Sequence, residues 1–198
     1  MERSAVEAVC RQTAIANPFP KAAAMLLIEV DGFHQAEIDR QLETLATVLE
    51  TFGAADMAFA DTPEKQAQLW RLRRSLGEAV KSRAVYKEED TVVPRYELPE
   101  LLKRVKTIGD RHGVTSVCYG HAGDGNLHVN LLKENMSDAD WDGKLPGCIT
   151  EIFEAVRALG GTVSGEHGVG YVQRRYLPLV YGEAELELMR RLKTAFDP

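Results

Sequence analysis

Cysteine is scarce and scattered in this chain. Cys10, Cys118 and Cys148 are odd in number and widely spaced, and no C-x-x-C pair suggests a redox motif or a zinc knuckle. The pattern fits a reducing, cytoplasmic setting. An excess of positive charge is also missing. The formal net charge is −6 and no local Lys/Arg run stands out, which argues against a nucleic-acid binder, since phosphate contacts need a basic surface. A small anionic ligand stays compatible, because a pocket needs only local positive charge. Long apolar runs are absent as well: the longest, Ala22 to Ile28, is too short to span a bilayer and lacks a signal peptide's position and flanks. What remains is an ordinary globular composition, 198 residues and 44% hydrophobic, enough for one substantial core with room for an appendage.

Strand and helix patterns alternate along the chain, without repeats or low-complexity segments. "AMLLIEV" (Ala24 to Val30) reads as a buried strand. A helix follows, with Leu42, Leu45, Val48, Leu49 and Phe52 at helical spacing up to Gly53, and "ADMAFA" (Ala55 to Ala60) completes a first β-α-β unit. A second helix is expected from about Pro63 to Arg83, then an extended segment, Ala84 to Pro94. The third helix begins near Pro99, buries Leu102, Val105 and Ile108, and stops at Gly113. "TSVCYGH" and "LHVNLL" are two strands joined by a tight turn. A fourth helix carries Ile149, Ile152, Phe153, Val156 and Leu159 to Gly160-Gly161, a short "TVS" strand follows, and a last helix spans about Glu183 to Phe196. The expected fold class is α+β, an antiparallel sheet covered by helices, of the split β-α-β type. Both ends read as interrupted: "MERSAVEAVCRQ" resembles the middle of a helix, and "TAFDP" stops directly after one.

The turn between the two strands is unusual. In "GHAGDGNLHVN", two histidines flank a Gly-Asp-Gly-Asn turn, in a chain with five histidines in all. Asp-Gly favours a two-residue type I′ hairpin, since both central positions need positive φ. With Asp124 and Gly125 there, His121 pairs directly with His128, their Cβ atoms about 4.5–5.5 Å apart. Tyr119 and Asn130 then share that face, while Leu127, Val129 and Leu131 point the other way. Two opposed imidazoles can converge on one metal ion at about 2.0–2.1 Å, and they can also simply hydrogen-bond at a sheet edge; a wider turn would break the pairing.

A metal needs further ligands, and "SGEHGVG" (Ser164 to Gly170) offers them. Glu166 supplies a carboxylate for a His-His-Glu set with open positions, and His167 on the same glycine-flanked loop is placed either as a general base or as a solvent-facing or capping histidine. The loop glycines lack dinucleotide-fingerprint spacing, so no Rossmann site is read here. In the second helix Arg73 borders the stripe of Leu69, Leu72, Leu76 and Val80, whereas Arg71 and Arg74 point away. Arg73 and Lys87 each either pair with a protein carboxylate or hold an anionic substrate, and Glu88, Glu89 and Asp90 stand ready for Lys87.

"HAGDGNLHVN" and "GGTVSGEHGVG", in that order after "LWRLRRSL" and "VVPRYELPELL", resemble the C-terminal domain of the FAD-linked oxidases, a family that includes D-lactate dehydrogenases, the glycolate oxidase flavin subunit and D-2-hydroxyglutarate dehydrogenases. The resemblance covers nearly the whole of residues 1–198 and implies a ferredoxin-like substrate domain with an extended antiparallel sheet. It implies that FAD is held mainly by a separate N-terminal domain. No phosphate-binding glycine pattern of that domain appears in this sequence, and relatives continue past "AFDP", so a fragment is expected, inactive by itself as a dehydrogenase. Residue by residue, the resemblance makes His121, His128 and Glu166 ligands of a divalent metal (zinc, manganese or iron), His167 the base, and Asn130, Arg73 and Lys87 substrate contacts. Gly77 stands where hydroxyglutarate enzymes have a hydroxyl residue, which weakens the case for that dicarboxylate. The implied partners are a small anionic 2-hydroxy acid and an FAD domain; a homodimer, the electron acceptor and peripheral attachment at the inner membrane through partners stay open. A metal-binding module or a metal-assisted hydrolase acting without flavin is the alternative from a different class.

Overall fold

A strand persists only where a second backbone answers its N–H and C=O groups, and this requirement sorts the expected strands into those that form and those that do not. The computed structural model describes residues 1–54 and 56–197, and the chain divides into two units, Met1–Gly77 and Glu78–Pro198.

In the first unit, α1 (Arg3–Gln12) buries Ala5, Val6, Ala8 and Val9. Then come α2 (Gln35–Thr51) and α3 (Pro63–Arg74), the latter started by the Thr62 hydroxyl, which accepts the Lys65 N–H, with proline in the first turn. The expected β-α-β unit is not formed. Ala24 makes a single bridge to Glu2, residues 25–30 and 56–60 belong to no ladder, and Ala55 lies outside the described residues. Both segments have β-prone composition but no strand beside them among the described residues, and composition alone does not make a ladder. Nor is the apolar stripe of α2 buried: Val48 is 47% and Phe52 85% exposed. The expected helix over 63–83 is two helices, because it breaks at Ser75 and resumes as α4 (Leu76–Lys81). The Ser75 hydroxyl donates to the Arg71 carbonyl at 2.8 Å, the local back-bonding by which serine competes with a continuing helix.

The second unit contains β1 (Tyr86–Val92), α5 (Leu98–His112), β2 (Thr115–His121), β3 (Asn126–Leu132), α6 (Asp138–Ala158), α7 (Gly170–Gln173) and α8 (Glu183–Phe196). The sheet order is β1-β3-β2, with β3 antiparallel to both neighbours. β1 and β2 are therefore parallel, joined by the α5 crossover. Thr162 bridges Val92 antiparallel on the free edge of β1, where the fourth strand of a ferredoxin-like sheet runs. The α+β, ferredoxin-like expectation holds, with the "TVS" strand reduced to one bridge.

One sheet face, carrying Cys118, Leu127, Val129 and Leu131, packs with Leu101, Val105 and Ile108 of α5 and Ile149, Ile152, Phe153 and Val156 of α6. Each such side chain contributes about 1.5–3 kcal/mol by leaving water. Leu102, expected in this core, is only partly buried; Leu101, at i, i+4, i+7 spacing with Val105 and Ile108, takes the inner position. Gly113 ends α5 at φ 64°, as its sequence position implies.

Two charges share this apolar face. Glu89, opposite Val129, is fully buried, with Lys87 Nζ 2.8 Å from Oε1 and Gln173 Nε2 donating to Oε2 at 2.5 Å. Removing one partner of a buried pair costs about 3–5 kcal/mol, and the partial exposure of Lys87 brings the expected cost of Lys87→Met to about 2 kcal/mol. Urea denaturation of this variant measures it, and unchanged stability would show that Glu89 does not depend on Lys87.

Candidate functional site

The face opposite α5 and α6 carries, in strand alternation, Glu88 and Asp90 of β1, Tyr119 and His121 of β2, and Asn126, His128 and Asn130 of β3. The expected direct pairing of His121 with His128 is not what forms. His121 is opposite Asn126, and His128 is opposite Tyr119 on one side and Asp90 on the other. The connection is four residues long: 122–124 make a 3₁₀ turn and Gly125 takes φ 73°. Tertiary contact overrides the two-residue turn here, since the Gly125 carbonyl accepts the Val93 N–H at 3.0 Å and a Cβ at Gly125 would lie 2.0 Å from the Val93 carbonyl oxygen. The register slips by two residues, so the face is preserved. The two imidazoles meet diagonally, edge to face, with ring centroids 5.8 Å apart.

The "SGEHG" loop is brought over this face by Asp90. Its Oδ2 accepts hydrogen bonds from the Ser164 hydroxyl (3.0 Å) and from the backbone N–H groups of Gly165 (2.9 Å), Glu166 (2.8 Å) and His167 (2.8 Å). Oδ1 accepts one from Asn126 Nδ2 at 2.6 Å. Gly165 is required by close approach, because a Cβ there would lie 2.1 Å from Asn126 Nδ2.

Glu166 Oε1 consequently lies 3.2 Å from His128 Nε2, 3.8 Å from His121 Nε2 and 3.7 Å from His167 Nε2. His167 stacks on His128 with centroids 5.0 Å apart and planes 13° from parallel. Ligand atoms of His121, His128 and Glu166 lie within 4.8 Å of one another, as do those of Asp90, His128 and His167. The first set fits a divalent metal: His128 is buried, and burial holds its pKa below the ordinary range, favouring the neutral, ligating imidazole. Its buried Nδ1 makes no hydrogen bond among the described residues and faces Asp90 Oδ1 at 3.7 Å, the side on which a metal-bound histidine has its carboxylate.

Asn130 lies fully buried on the same face, its side-chain amide next to the Tyr119 hydroxyl. Beside it the Tyr119 hydroxyl is 3.4 Å from Glu88 Oε1, and Lys81 Nζ is 2.6 Å from Glu88 Oε2. Lys87 is on the other face, paired with Glu89, and is not brought to the histidines. Arg73 is half-buried on α3 in the first unit, while Arg71 and Arg74 are exposed, as the stripe implies.

Sequence reasoning missed Asp90 as the organiser, along with Asn126 and Ser164. The available signal was alternation: in "KEED", only Glu88 and Asp90 fall on the face of His128.

A ferredoxin-like sheet with a two-histidine, one-carboxylate cluster and a third histidine stacked beside it defines an α+β domain built around a polar site on one sheet face. Over residues 1–198 the chain matches the model of the FAD linked oxidases, C-terminal domain, and it belongs to that family. It is 31% identical over 88% of its length to a D-lactate dehydrogenase of Anaerostipes hadrus, and 34% identical over 89% to the glycolate oxidase subunit GlcD of Bacillus subtilis. It is 32% identical over 87% to a D-2-hydroxyglutarate dehydrogenase of Stutzerimonas stutzeri. These matches span 37%, 37% and 38% of the respective relatives. No helix among the described residues is long and apolar enough to cross a membrane.

Burial pushes the Asp90 carboxyl up, but the amide, Asn126 and Ser164 hydrogen bonds outweigh it and hold the pKa down at about 2. A pKa depressed on folding contributes stability that is full above the unfolded value near 4 and is lost as pH falls through about 2. The stability advantage of the native chain over Asp90→Asn is therefore expected to shrink by about 2 kcal/mol between pH 7 and pH 2. Denaturation of both proteins across that range measures it, and a pH-independent difference would contradict the ionised, amide-bound carboxylate.

Proposed function

We propose that this chain is the substrate- and metal-binding part of a flavin-dependent dehydrogenase that oxidises a small 2-hydroxy acid to the 2-oxo acid. The observation that carries the reading is the convergence of His121, His128 and His167 on Glu166 Oε1. His121, His128 and Glu166 would hold a divalent ion, zinc, manganese or iron, which when bound lowers the pKa of a substrate hydroxyl. FAD, held mainly by the remainder of the protein, supplies the hydride acceptor.

The chain's own residues provide the rest. His167 Nε2 takes the hydroxyl proton, and its side chain, 48% exposed, passes that proton on to water. The stacking on His128 and the backbone bond to Asp90 fix where that nitrogen stands. Asn130 offers its buried amide to the substrate carboxylate or hydroxyl. For Arg73, on α3 of the first unit, the role of a cation that holds the substrate carboxylate rests on the family resemblance alone. Lys87, which the sequence pairs with Arg73 in this role, is better supported as the structural partner of Glu89. The relatives carry names for D-lactate, glycolate and D-2-hydroxyglutarate, so the substrate is a 2-hydroxy acid of one of these kinds, and Gly77 in place of a hydroxyl residue weakens the case for the last.

Elemental analysis of the chelator-free chain is expected to find about one metal ion, lost in His121→Ala/His128→Ala and retained in His167→Ala. In the flavin-containing protein, His167→Ala is expected to lower turnover of the hydroxy acid by about 10²–10⁴-fold. Normal turnover by a metal- and flavin-replete His167→Ala enzyme would refute the base assignment. Hydrolytic turnover by the chain without flavin would replace the dehydrogenase reading.

A further inference from the structure

The carboxylate of Asp90 stands close enough to His128 and His167 to be counted with them as a metal ligand. Its oxygens are already committed. Oδ2 accepts four hydrogen bonds and Oδ1 accepts one from Asn126, so a cation at Asp90 would displace the contacts that hold the loop in place. By contrast, Glu166 is half-exposed, and the polar neighbours of its carboxylate are the imidazoles of His121, His128 and His167. Its position is inherited from its backbone N–H, which Asp90 holds.

We propose that Asp90 is the positioning residue of this site, acting through the Gly165, Glu166 and His167 amides to set Glu166 against His121 and His128. The proposal rests on the reading of those three side chains as metal ligands. Two further observations support it. Asn126 Nδ2, bonded both to Asp90 Oδ1 and to the Thr91 carbonyl at 3.2 Å, locks the rotation of the carboxylate. The far end of the same segment is held separately, where Gln173 donates to the buried Glu89. Successive residues of β1, facing opposite sides of the sheet, thus fix both ends of the stretch that carries Glu166 and His167. Between the two anchors Gly168 and Gly170 take positive φ, and the Gly168 N–H closes the turn on the Ser164 hydroxyl at 2.9 Å.

The test combines zinc titration by calorimetry with amide hydrogen exchange by NMR on the chain. Asp90→Asn keeps the side-chain shape and removes the charge. It is expected to weaken zinc binding about 10–100-fold, as loss of an outer-shell partner does, and to accelerate exchange at residues 165–167. Ser164→Ala removes one of the four donors to Oδ2 together with the acceptor of the Gly168 N–H, and is expected to have an intermediate effect, which keeps the proposal testable if Asp90→Asn does not fold. In a Glu166→Gln background, Asp90→Asn is expected to cost clearly less zinc affinity than in the native chain, the remainder being its place beside His128 Nδ1; a general structural loss would add in full. Unchanged zinc affinity in a folded Asp90→Asn chain, or full additivity in the cycle, would overturn the role of Asp90. Failure of the native chain to bind zinc would instead overturn the metal reading beneath it, and the exchange data would still show separately whether Asp90 holds the loop.

Discussion

A single oxygen, Asp90 Oδ2, accepts three consecutive backbone amides and one hydroxyl from a loop more than seventy residues away in the sequence. Amides in such a row form an anion-binding concavity, and a buried carboxylate facing it has both its charge and its lone pairs answered at once. The segment is also tied to β1 at Thr162 before the loop and at Gln173 after it, and Asp90 holds the stretch between. Held there, Glu166 and His167 come to rest beside histidines contributed by a hairpin. The strand that does this work is short, and its alternation matters: Glu88 and Asp90 serve the polar face, while Lys87 and Glu89 serve the face packed with helices.

The polar face is where the chemistry collects. His128 is buried and kept neutral by burial, His121 and Glu166 are half-exposed, and His167 stacks flat on His128. The cluster thus runs from a buried imidazole to solvent-reaching ones. The chain belongs to the family of the FAD linked oxidases, C-terminal domain, and spans under two fifths of the length of the relatives it matches.

Much of this was legible in the sequence because strand periodicity is two. The hairpin expected from Asp-Gly had the wrong loop length, yet the error in register was also two, so His121, His128 and Asn130 remained on one face and Leu127, Val129 and Leu131 on the other. Helix ends at Gly53 and Gly113 were readable because only glycine takes those positive φ values cheaply. The strands expected at 24–30 and from residue 55 were not, since a ladder depends on a neighbour that local composition does not reveal. Asp90 was hidden for a related reason: its partners are mostly main-chain groups, which every residue carries, so no side-chain motif marks them. Lys87 was ambiguous because the sequence names several acids near it, and only the face of the strand selects Glu89.

The most direct measurement of the account is X-ray absorption at the zinc edge on the zinc-loaded chain. The arrangement described predicts two imidazole nitrogens and carboxylate or water oxygens at about 2.0–2.2 Å, with one imidazole signal lost in His128→Ala. Sulfur at about 2.3 Å, or a spectrum without imidazole scattering, would contradict it, since the metal would then lie away from the face that Asp90 organises.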